Sequence, residues 1–377
     1  IVPEGLTGLQ LSFYFTVRKN FLGGNIMKKI CALFLMFAIL LPLSACNNGL
    51  GMTSQESEGQ NSDESNVSTE QSGNGTYRGA ILNNSFQLAF FTYVTAAAKQ
   101  AGAEYGLTID VYDGGGDQAK VAENISTCVA NGYDVIFVNG DASLVSAIQE
   151  ANEAGIPVVN YNSVIEGNCE FIGRIYSDDY AHGQQLAAHF IDTIKNENNG
   201  NTECTIACVL YPSLNNCYNR GMGFMDYLRD YSDIEILEYI VDSPYPEPTA
   251  QLVDDILIAY PEGSLDYIFG INSGIVLGAL SSCQSADRTE IGICGFDNED
   301  DELNAIADEN NQLMFVVAQD RDAIGTGMVD IWRDWLETGE SQGDIKVGAD
   351  LITIDNVAEY KANQDARVQE LNEWIDW

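Results

Sequence analysis

The side chains best suited to catalysis are scarce in this sequence, and their spacing does not favour it. The two histidines, His182 and His189, lie seven residues apart in one predicted helix, and no His-Glu-x-x-His pattern is present. No Gly-x-Ser-x-Gly nucleophile turn occurs either. We therefore expect neither an enzyme nor a histidine-bound metal ion.

Two further stretches could bind a phosphate or a cation by composition alone. YDGGGDQAK (112–120) is rich in glycine but lacks the Lys-Ser/Thr pair of a phosphate-binding loop, so we interpret it as a strand-to-helix loop with Gln118 opening the helix. DNEDDE (297–302) lacks the central glycine of a calcium loop, and we interpret it as a solvated helix start. We expect no cofactor at either stretch.

Seven of the nine cysteines follow residue 100, without Cys-x-x-Cys or zinc-finger spacing. Cys208 and Cys294 lie in apolar runs, where cysteine acts as a small hydrophobic residue. Cys204 and Cys208 would share one strand face, which leaves a disulfide or a soft-metal site open, although we expect no metal there.

An earlier cysteine, Cys46, ends a pattern typical of export. Met27-Lys28-Lys29 gives a basic head, and an apolar run of about 14 residues follows, too short to span a membrane as a helix. Leu43-Ser44-Ala45-Cys46 resembles the bacterial lipobox, in which the cysteine is lipidated after cleavage. We predict a lipoprotein signal peptide at 27–45 and an anchor to the cell membrane through Cys46.

The segments on either side of this signal have different compositions. Residues 1–26 contain no methionine, and Leu22-Gly23-Gly24 can be encoded by a sequence containing AGGAGG, a ribosome-binding sequence, so we interpret 1–26 as untranslated leader. Residues 46–76, including the lipidated cysteine, are rich in Ser, Glu, Gln, Asn and Gly and poor in large apolar residues. Such a segment cannot bury enough surface to fold, and we predict a disordered tether.

The overall charge excludes several classes of partner. The chain has 56 acidic against 17 basic side chains, and a formal net charge of −39. A polyanion of this kind is repelled by phosphate backbones and by anionic lipid. We therefore expect no nucleic-acid partner and no peripheral binding to the membrane surface.

From residue 77 onward, short apolar runs alternate with amphipathic helical stretches. One predicted helical face carries Val121, Ile125, Cys128 and Val129, and another carries Leu252, Ile256 and Leu257. Near-continuous apolar strands separated by helices indicate parallel sheets covered on both faces, and their number suits two doubly wound α/β lobes. The predicted strands are 134–139, 156–160, 204–211, 266–271, 291–296 and 313–318.

Polar residues follow several of these strands in an order that resembles the ribose-type family of sugar-binding proteins, which have the type I periplasmic binding fold. The matching segments are LNNSF (82–86), GYDVIFVNG (132–140), AGIPVVNYNS (154–163), FIGRIYSDDYAHG (171–183), NRGMGF (219–224), YIFGINSGIVLGAL (267–280), ICGFDN (293–298) and VAQDRDAIG (317–325). Each is weak alone, but eight in the family's order over 77–356 are specific.

The resemblance implies two lobes joined by a three-segment hinge, with crossovers near Ser177, Gln319 and Asp350. The N-terminal lobe would comprise 77–177 and 320–350, and the C-terminal lobe 178–319 and 351–377. Carried over position by position, the resemblance also implies a set of ligand-binding residues. These are Asn84, Phe86, Asn139, Asn162, Arg220, Tyr245, Asn272, Asp297 and Gln319.

The chemistry of this set suits a sugar, and its departures from the family pattern leave the particular sugar open. Arg220 and Asp297 can form charge-assisted hydrogen bonds with hydroxyls, and the amides can both donate and accept. Gln87 stands where a second stacking aromatic is common, and Asn162-Ser163 replaces an Asp-Arg pair of ribose-type sites. Compared with ribose-type sites, we therefore expect this site to have one stacking aromatic side chain fewer and to have lost charged side chains.

The resemblance implies a monomeric, lipid-anchored solute-binding protein that delivers a small ligand, in our interpretation a sugar, to an ABC permease and its ATPase. A sensory protein that presents such a ligand to a chemoreceptor or sensor kinase is the alternative. A transcription regulator of the repressor type would need a basic DNA-binding headpiece where this chain has the signal and an acidic segment. An exported hydrolase is disfavoured by the scarcity of histidine.

Overall fold

The computed structural model describes residues 76–86 and 89–375. Their twelve strands are β1 Tyr77–Asn83, β2 Leu107–Asp113, β3 Val135–Val138, β4 Val158–Tyr161, β5 Gly173–Ser177, β6 Cys204–Leu210, β7 Ile234–Ile240, β8 Tyr267–Gly270, β9 Gly292–Phe296, β10 Leu313–Gln319, β11 Asp344–Val347 and β12 Ala349–Thr353. Their ten α-helices are α1 Ala89–Glu104, α2 Gln118–Ala130, α3 Val145–Glu153, α4 Asp179–Glu197, α5 Asn215–Leu228, α6 Pro246–Ala259, α7 Ser273–Ser285, α8 Asp300–Ala307, α9 Arg321–Thr338 and α10 Val357–Leu371.

The strands form two six-stranded sheets, one in each lobe. The first has the order β11-β5-β4-β3-β1-β2 and is parallel throughout. The second has the order β12-β10-β9-β8-β6-β7, and only its edge strand β12 is antiparallel. Each of the six apolar runs predicted from the sequence overlaps one of these strands, and the predicted two-lobed α/β fold is confirmed.

Burial explains why the central strands are almost wholly apolar. All four residues of β3 (Val-Ile-Phe-Val) are buried, because helices cover both faces of the parallel sheet. On α2, Val121, Ile125 and Cys128 face the core, one helical turn apart. In parallel sheets of this kind, ligands bind beyond the carboxyl ends of the strands.

The chain crosses between the two sheets three times, so the predicted three-segment hinge is confirmed. It leaves the first sheet after Ser177, returns after Gln319, and crosses again at Gly348, between β11 and β12. The Ser177 hydroxyl donates a hydrogen bond of 3.1 Å to the Gln319 side-chain oxygen. The first two crossings are therefore joined directly.

The C-terminal helix α10 contacts both lobes. It packs against α8 and β12 of the second lobe. In its last turn, Leu371 lies in a small apolar cluster with Ala96 and Ala97 of α1, in the first lobe. Arg367 also bonds Asp322 of α9, with 2.8 Å between Nε and Oδ1. The helix thus adds a non-covalent link across the hinge.

Other expectations from the sequence can be compared with the described residues. All seven cysteines between Cys128 and Cys294 are unpaired there, and Cys208 and Cys294 are buried as expected. Residues 76–86 and 89–375 contain no cluster of potential ligands suited to a metal ion. No helix within these ranges has the length and apolarity needed to cross a bilayer.

The interpretation of the acidic stretch 297–302 was wrong in one respect. A helix, α8, does begin there, and Glu299 and Glu302 form a reciprocal capping box at its start. The stretch is solvated only in part, because Asp300 and Asp301 are exposed while Asp297 and Glu302 are buried. Desolvation by this burial raises the pKa of the Glu302 carboxyl well above its usual range.

Candidate functional site

A cavity of about 50 Å³ lies between the two lobes, beyond the carboxyl ends of their strands. Both lobes contribute to its lining, the first through Phe90 and the second through Leu214, for example. Seven of the nine residues that the sequence predicted for the ligand site are brought together here. They are Asn84, Asn162, Arg220, Tyr245, Asn272, Asp297 and Gln319.

Close approach of α4 and α5 places Arg220 beside this cavity. A Cβ atom at Gly183 would lie 2.4 Å from the Arg220 carbonyl oxygen, and one at Gly223 would lie 2.1 Å from the Tyr180 carbonyl oxygen. Only glycine permits contacts of this kind between the backbones of two helices. Gly223, in the segment NRGMGF (219–224), therefore helps to set the position of Arg220.

The Arg220 guanidinium is almost fully buried and holds a network of polar groups. Its Nε donates to Asp179 at 2.8 Å, and its Nη1 donates to the Ile271 carbonyl at 3.1 Å and more weakly to Asp297 at 3.4 Å. The ring of Phe296 lies 5.0 Å below the guanidinium carbon. Contacts on three sides fix the orientation of this side chain.

The charges of this network shift one another's pKa values. Burial raises the pKa of Asp179 to about 6, against the opposing effect of Arg220, while the nearby Asp297 carboxylate adds to the rise. Burial alone would lower the pKa of Arg220, but Asp179 and Asp297 raise it above its usual value. The arginine therefore stays charged in its buried position, while the carboxyl of Asp179 has its pKa at about 6.

Asp297 connects the arginine to the hinge. Its backbone has φ of 84°, a left-handed conformation that Asp tolerates better than most residues. One carboxylate oxygen accepts from Gln319 Nε2 at 2.9 Å, and the other accepts from the backbone N–H of Ser273 at 3.1 Å, at the start of α7. A negative charge is favoured at that helix end.

Three buried polar atoms of the cavity lining have no hydrogen-bond partner among the described residues. They are Arg220 Nη2, Asn162 Oδ1 and Asn216 Oδ1. Asn162 belongs to the first lobe, and the other two belong to the second. An unpaired buried donor or acceptor is costly, by about 1–3 kcal/mol, so each atom favours a partner within the cavity. Together they offer one charged donor and two neutral amides.

The other amides of the lining are already bonded to the protein. Asn272 caps α7 by accepting from Ile275 N–H at 3.1 Å, and it donates to the Pro244 carbonyl at 3.1 Å. Asn84 Oδ1 accepts from Gln118 Nε2 at 2.8 Å. These side chains shape the cavity walls and hold them in place.

Tyr245 precedes α6 in the second lobe and lies at the border between the lobes. A Cβ atom built on Gly116, in the loop after β2, would lie 3.8 Å from its hydroxyl. Two hydrogen bonds also cross between the lobes near the cavity. Phe90 N–H donates to Glu299 at 3.2 Å, and Asn215 Nδ2 donates to the Val164 carbonyl at 3.0 Å. The lobes therefore touch around the cavity.

The structure does not bring Phe86 or Asn139 into the lining. Phe86 packs against the first-lobe apolar core, and the Asn139 amide donates to the Tyr161 carbonyl at 3.2 Å, bridging two strand ends. Their assignment to the ligand site remains a prediction. Cys46, assigned as the lipidated residue, lies outside the described residues.

Sequence reasoning missed four residues of this region. Asn216 lies one helical turn before Arg220 on α5, so a helical-wheel argument from the arginine could have found it. Phe90 and Phe91 of α1 provide aromatic lining that we did not assign. Asp179 opens α4 within the family-like segment 171–183, but its pairing with Arg220 depends on tertiary packing.

This geometry defines a class of protein: a two-lobed protein that binds a small polar molecule in the cleft between its lobes. Residues 79–341 match the family described as periplasmic binding protein domain, and the chain belongs to this family. The family consists of binding proteins and not of enzymes, and membership implies a location outside the cytoplasm.

Similar proteins agree with this membership. The chain is 24% identical over 287 residues to the D-apiose import binding protein of Actinobacillus succinogenes, covering 76% of this chain and 90% of that one. It is 24% identical over 275 residues to the ribose import binding protein of Escherichia coli, covering 72% and 89%.

The fold is also shared with solved structures. The arabinose-transporter binding protein of Shewanella sp. ANA-3, bound to L-arabinofuranose, aligns with a TM-score of 0.71 at 18% identity, over 78% of this chain and 98% of that one. A solute-binding protein of Bacillus halodurans C-125 with bound myo-inositol aligns with a TM-score of 0.68 at 21% identity, over 78% and 99%.

Proposed function

We propose that this protein captures a small neutral polyhydroxylated molecule, a monosaccharide or a related polyol, between its lobes and delivers it to an ABC importer. The observation that carries the proposal is the set of three unpaired buried atoms around the inter-lobe cavity: Arg220 Nη2, Asn162 Oδ1 and Asn216 Oδ1. A hydroxyl group both donates and accepts, so one ring of hydroxyls can satisfy all three.

The charge balance of the site supports a neutral ligand. Arg220 is the cation of its buried network, and Asp179 and Asp297 both contact it. An anionic ligand would add a third negative charge, and a cationic ligand would lie against the guanidinium. A neutral ligand can accept from Arg220 Nη2 without disturbing the pairs already formed.

Binding requires movement of the lobes. The cavity of about 50 Å³ is well below the roughly 300–1,000 Å³ of typical ligand pockets, so a sugar-sized molecule enters only if the lobes separate. Separation breaks the Phe90–Glu299 and Asn215–Val164 hydrogen bonds. A ligand that bonds both lobes then favours the arrangement in which they meet, as in hinge closure.

The names of similar proteins support the ligand class and the importer. Two of these proteins are import binding proteins for D-apiose and ribose, and two structures contain arabinofuranose and myo-inositol. All four molecules are small, neutral and polyhydroxylated. An ABC permease with its ATPase is accordingly the partner that we propose for this chain.

The ligand class can be tested by a thermal-shift panel of pentoses, hexoses, furanoses and polyols. A ligand at 100 times its dissociation constant adds about 2.7 kcal/mol of apparent stability and raises the melting temperature measurably. Asn216→Ala should weaken binding of the best compound about tenfold, since it removes a buried acceptor of the cavity. Asn219→Ala, exposed on the same helix, is the matched control and should leave the affinity unchanged.

Two results would contradict the proposed ligand class. One is a panel in which charged solutes such as amino acids shift the melting temperature and no sugar or polyol does. The other is calorimetry that gives Asn216→Ala the affinity of the unmodified protein while Asn219→Ala loses it.

We also propose that a lipid on Cys46 holds the protein at the membrane. The lipobox-like segment ending at this residue supports the proposal. Cys46→Ala expressed in a bacterial host should move the protein from the membrane fraction to the soluble fraction or leave it unprocessed. Retention of mature Cys46→Ala protein in the membrane fraction would refute the lipid anchor. It would not affect the proposed binding function, which is tested independently.

A further inference from the structure

A second and larger cavity, of about 260 Å³, lies at the hinge. The first lobe contributes Tyr93 and Arg321 to its lining, the second contributes Asn298 and Tyr360, and Gln319 of the second crossing completes it. Gln319 also lines the cavity between the lobes, so this residue borders both cavities. None of the functions proposed above uses the hinge cavity.

The side chain of Arg321 is the strongest hydrogen-bond donor without a hydrogen-bond partner among the described residues that line this cavity. The residue is 5% exposed, and its guanidinium carbon lies 4.2 Å from the centre of the Tyr93 ring. Within residues 76–86 and 89–375 its guanidinium forms no hydrogen bond and no ion pair within 4 Å, and its charge opposes the rise in pKa that burial causes at Glu299 and Glu302. Arg367, whose helix also lines the cavity, contrasts with it, because Arg367 pairs with Asp322 and Glu370.

No nitrogen of the Arg321 guanidinium is both buried and unpartnered, so its N–H donors remain accessible for a molecule in the cavity. The guanidinium carries five N–H donors and no acceptor, and hydrogen bonds to a charged group are worth about 1.5–3 kcal/mol each. Arg321 begins α9, whose N-terminal end also favours an acceptor group. A bound molecule with acceptor oxygens would therefore find strong donors in this cavity.

The rim of the cavity restricts the charge of that molecule. Asp320 and Asp350 lie at the rim, where they disfavour an anion, while Arg321 disfavours a cation inside. We propose that the hinge cavity binds a small neutral polyol, whose oxygens accept from Arg321 and whose hydroxyls donate to the rim carboxylates. The volume lies just below the lower end of typical ligand pockets, about 300 Å³, and so suits a compact molecule.

The proposal can be tested by NMR of ¹⁵N-labelled protein titrated with erythritol and with xylitol. Saturable shifts are expected in the side-chain amide signals of Asn298, Asn363 and Gln364, all three of which line the cavity. The same titration of Asn216→Ala should give unchanged curves for these signals. That variant alters only the cavity between the lobes, so the two sites are read separately.

Two variants should weaken the hinge titration at least tenfold. Arg321→Met removes the donors, and Asn363→Trp places a large ring at an exposed position of the rim, where folding is not affected. The matched control is Arg333→Met, on the same helix, because its guanidinium pairs with Asp330 and Asp334 outside the cavity. This control should retain the affinity of the unmodified protein.

The proposal is overturned if neither polyol produces saturable shifts of the three amide signals up to about 100 mM, where even a millimolar site would be filled. It is also overturned if Asn363→Trp leaves the curves unchanged, whatever the behaviour of Arg321→Met. Failure of the sugar panel at the inter-lobe cavity would refute the proposed main function without affecting this result.

Discussion

The two walls of the inter-lobe cavity are built differently. On the second-lobe wall, Arg220, Asp297 and Gln319 are joined by hydrogen bonds into one buried charged network. On the first-lobe wall the predicted polar residues are neutral amides. Asn84 is held by Gln118, and Asn162 has an unpaired oxygen.

This difference indicates how binding free energy is divided between the lobes. The groups of the second lobe are already oriented by one another, so a ligand that binds them orders few side chains and loses little conformational entropy. The first-lobe amide can reach the ligand only when the hinge brings it close. We therefore expect the ligand to contact the second lobe first and the first lobe on closure.

The largest expected effect comes from breaking the charged wall. Arg220→Ala leaves Asp179 and Asp297 buried without their partner, and loss of one member of such a network typically destabilises a protein by about 3–5 kcal/mol. Because Arg220 is almost fully buried, we expect this change to weaken the fold as well as the site. Urea denaturation measures the loss.

The matched control for this change is Arg229→Ala, at the end of the same helix α5. Its guanidinium is about half exposed and pairs with surface carboxylates, so we expect a loss of at most about 1 kcal/mol. Equal stability of Arg220→Ala and Arg229→Ala would contradict the description of the second-lobe wall as a buried charged network.

The sequence predicted the fold and most of the candidate site because both depend on local patterns. Buried parallel strands are apolar along their whole length, as in β3, and the polar residues that follow them fall in turns whose position the strands fix. Asp297 directly follows β9 and could be placed in this way, whereas Arg220 lies inside α5 and was placed by the family resemblance. The resemblance then supplied the order in which such turns assemble.

What the sequence could not supply are pairings between distant elements. Asp179 meets Arg220 only because two glycines let α4 and α5 touch, and neither residue signals the other in the chain. Asn139 failed to join the lining for a related reason. Its turn is occupied by a hydrogen bond to the neighbouring strand end, which a single-strand pattern cannot reveal.

A second prediction concerns the dependence of stability on pH. The folded-state pKa of Asp179, about 6, lies above the value of 3.8 expected in an unfolded chain, so the folded protein binds this proton more tightly. The resulting stabilisation, about 3 kcal/mol, is present in full below pH 3.8 and is lost as the pH rises through about 6.

Comparison with Asp179→Asn isolates this contribution. Asp178, Arg220 and Asp297 face the carboxyl, and His182 lies one turn along α4, but all four are present in both proteins. The stability of the unmodified protein relative to Asp179→Asn should fall between about pH 4 and pH 7 in denaturation experiments. A constant difference would show that the second-lobe wall carries no titrating charge.

The smallest expected effect on stability comes from the first-lobe wall. Asn162 has φ of 62°, a conformation that glycine adopts freely, so Asn162→Gly removes the amide without straining the backbone. We expect stability to change by less than about 1 kcal/mol and ligand affinity to fall about 5- to 30-fold, the equivalent of 1–2 kcal/mol. Denaturation and calorimetry measure the two quantities.

Asn199→Gly is the matched control for this last change. Asn199 also has a positive φ, of 53°, but lies in an exposed turn after α4, away from the cavity. Asn199→Gly should match Asn162→Gly in stability and retain full affinity, because of these two residues Asn162 alone offers an unpaired oxygen to the ligand. If both variants bind equally well, the first lobe contributes no specific hydrogen bond through Asn162, and the second-lobe network alone holds the ligand.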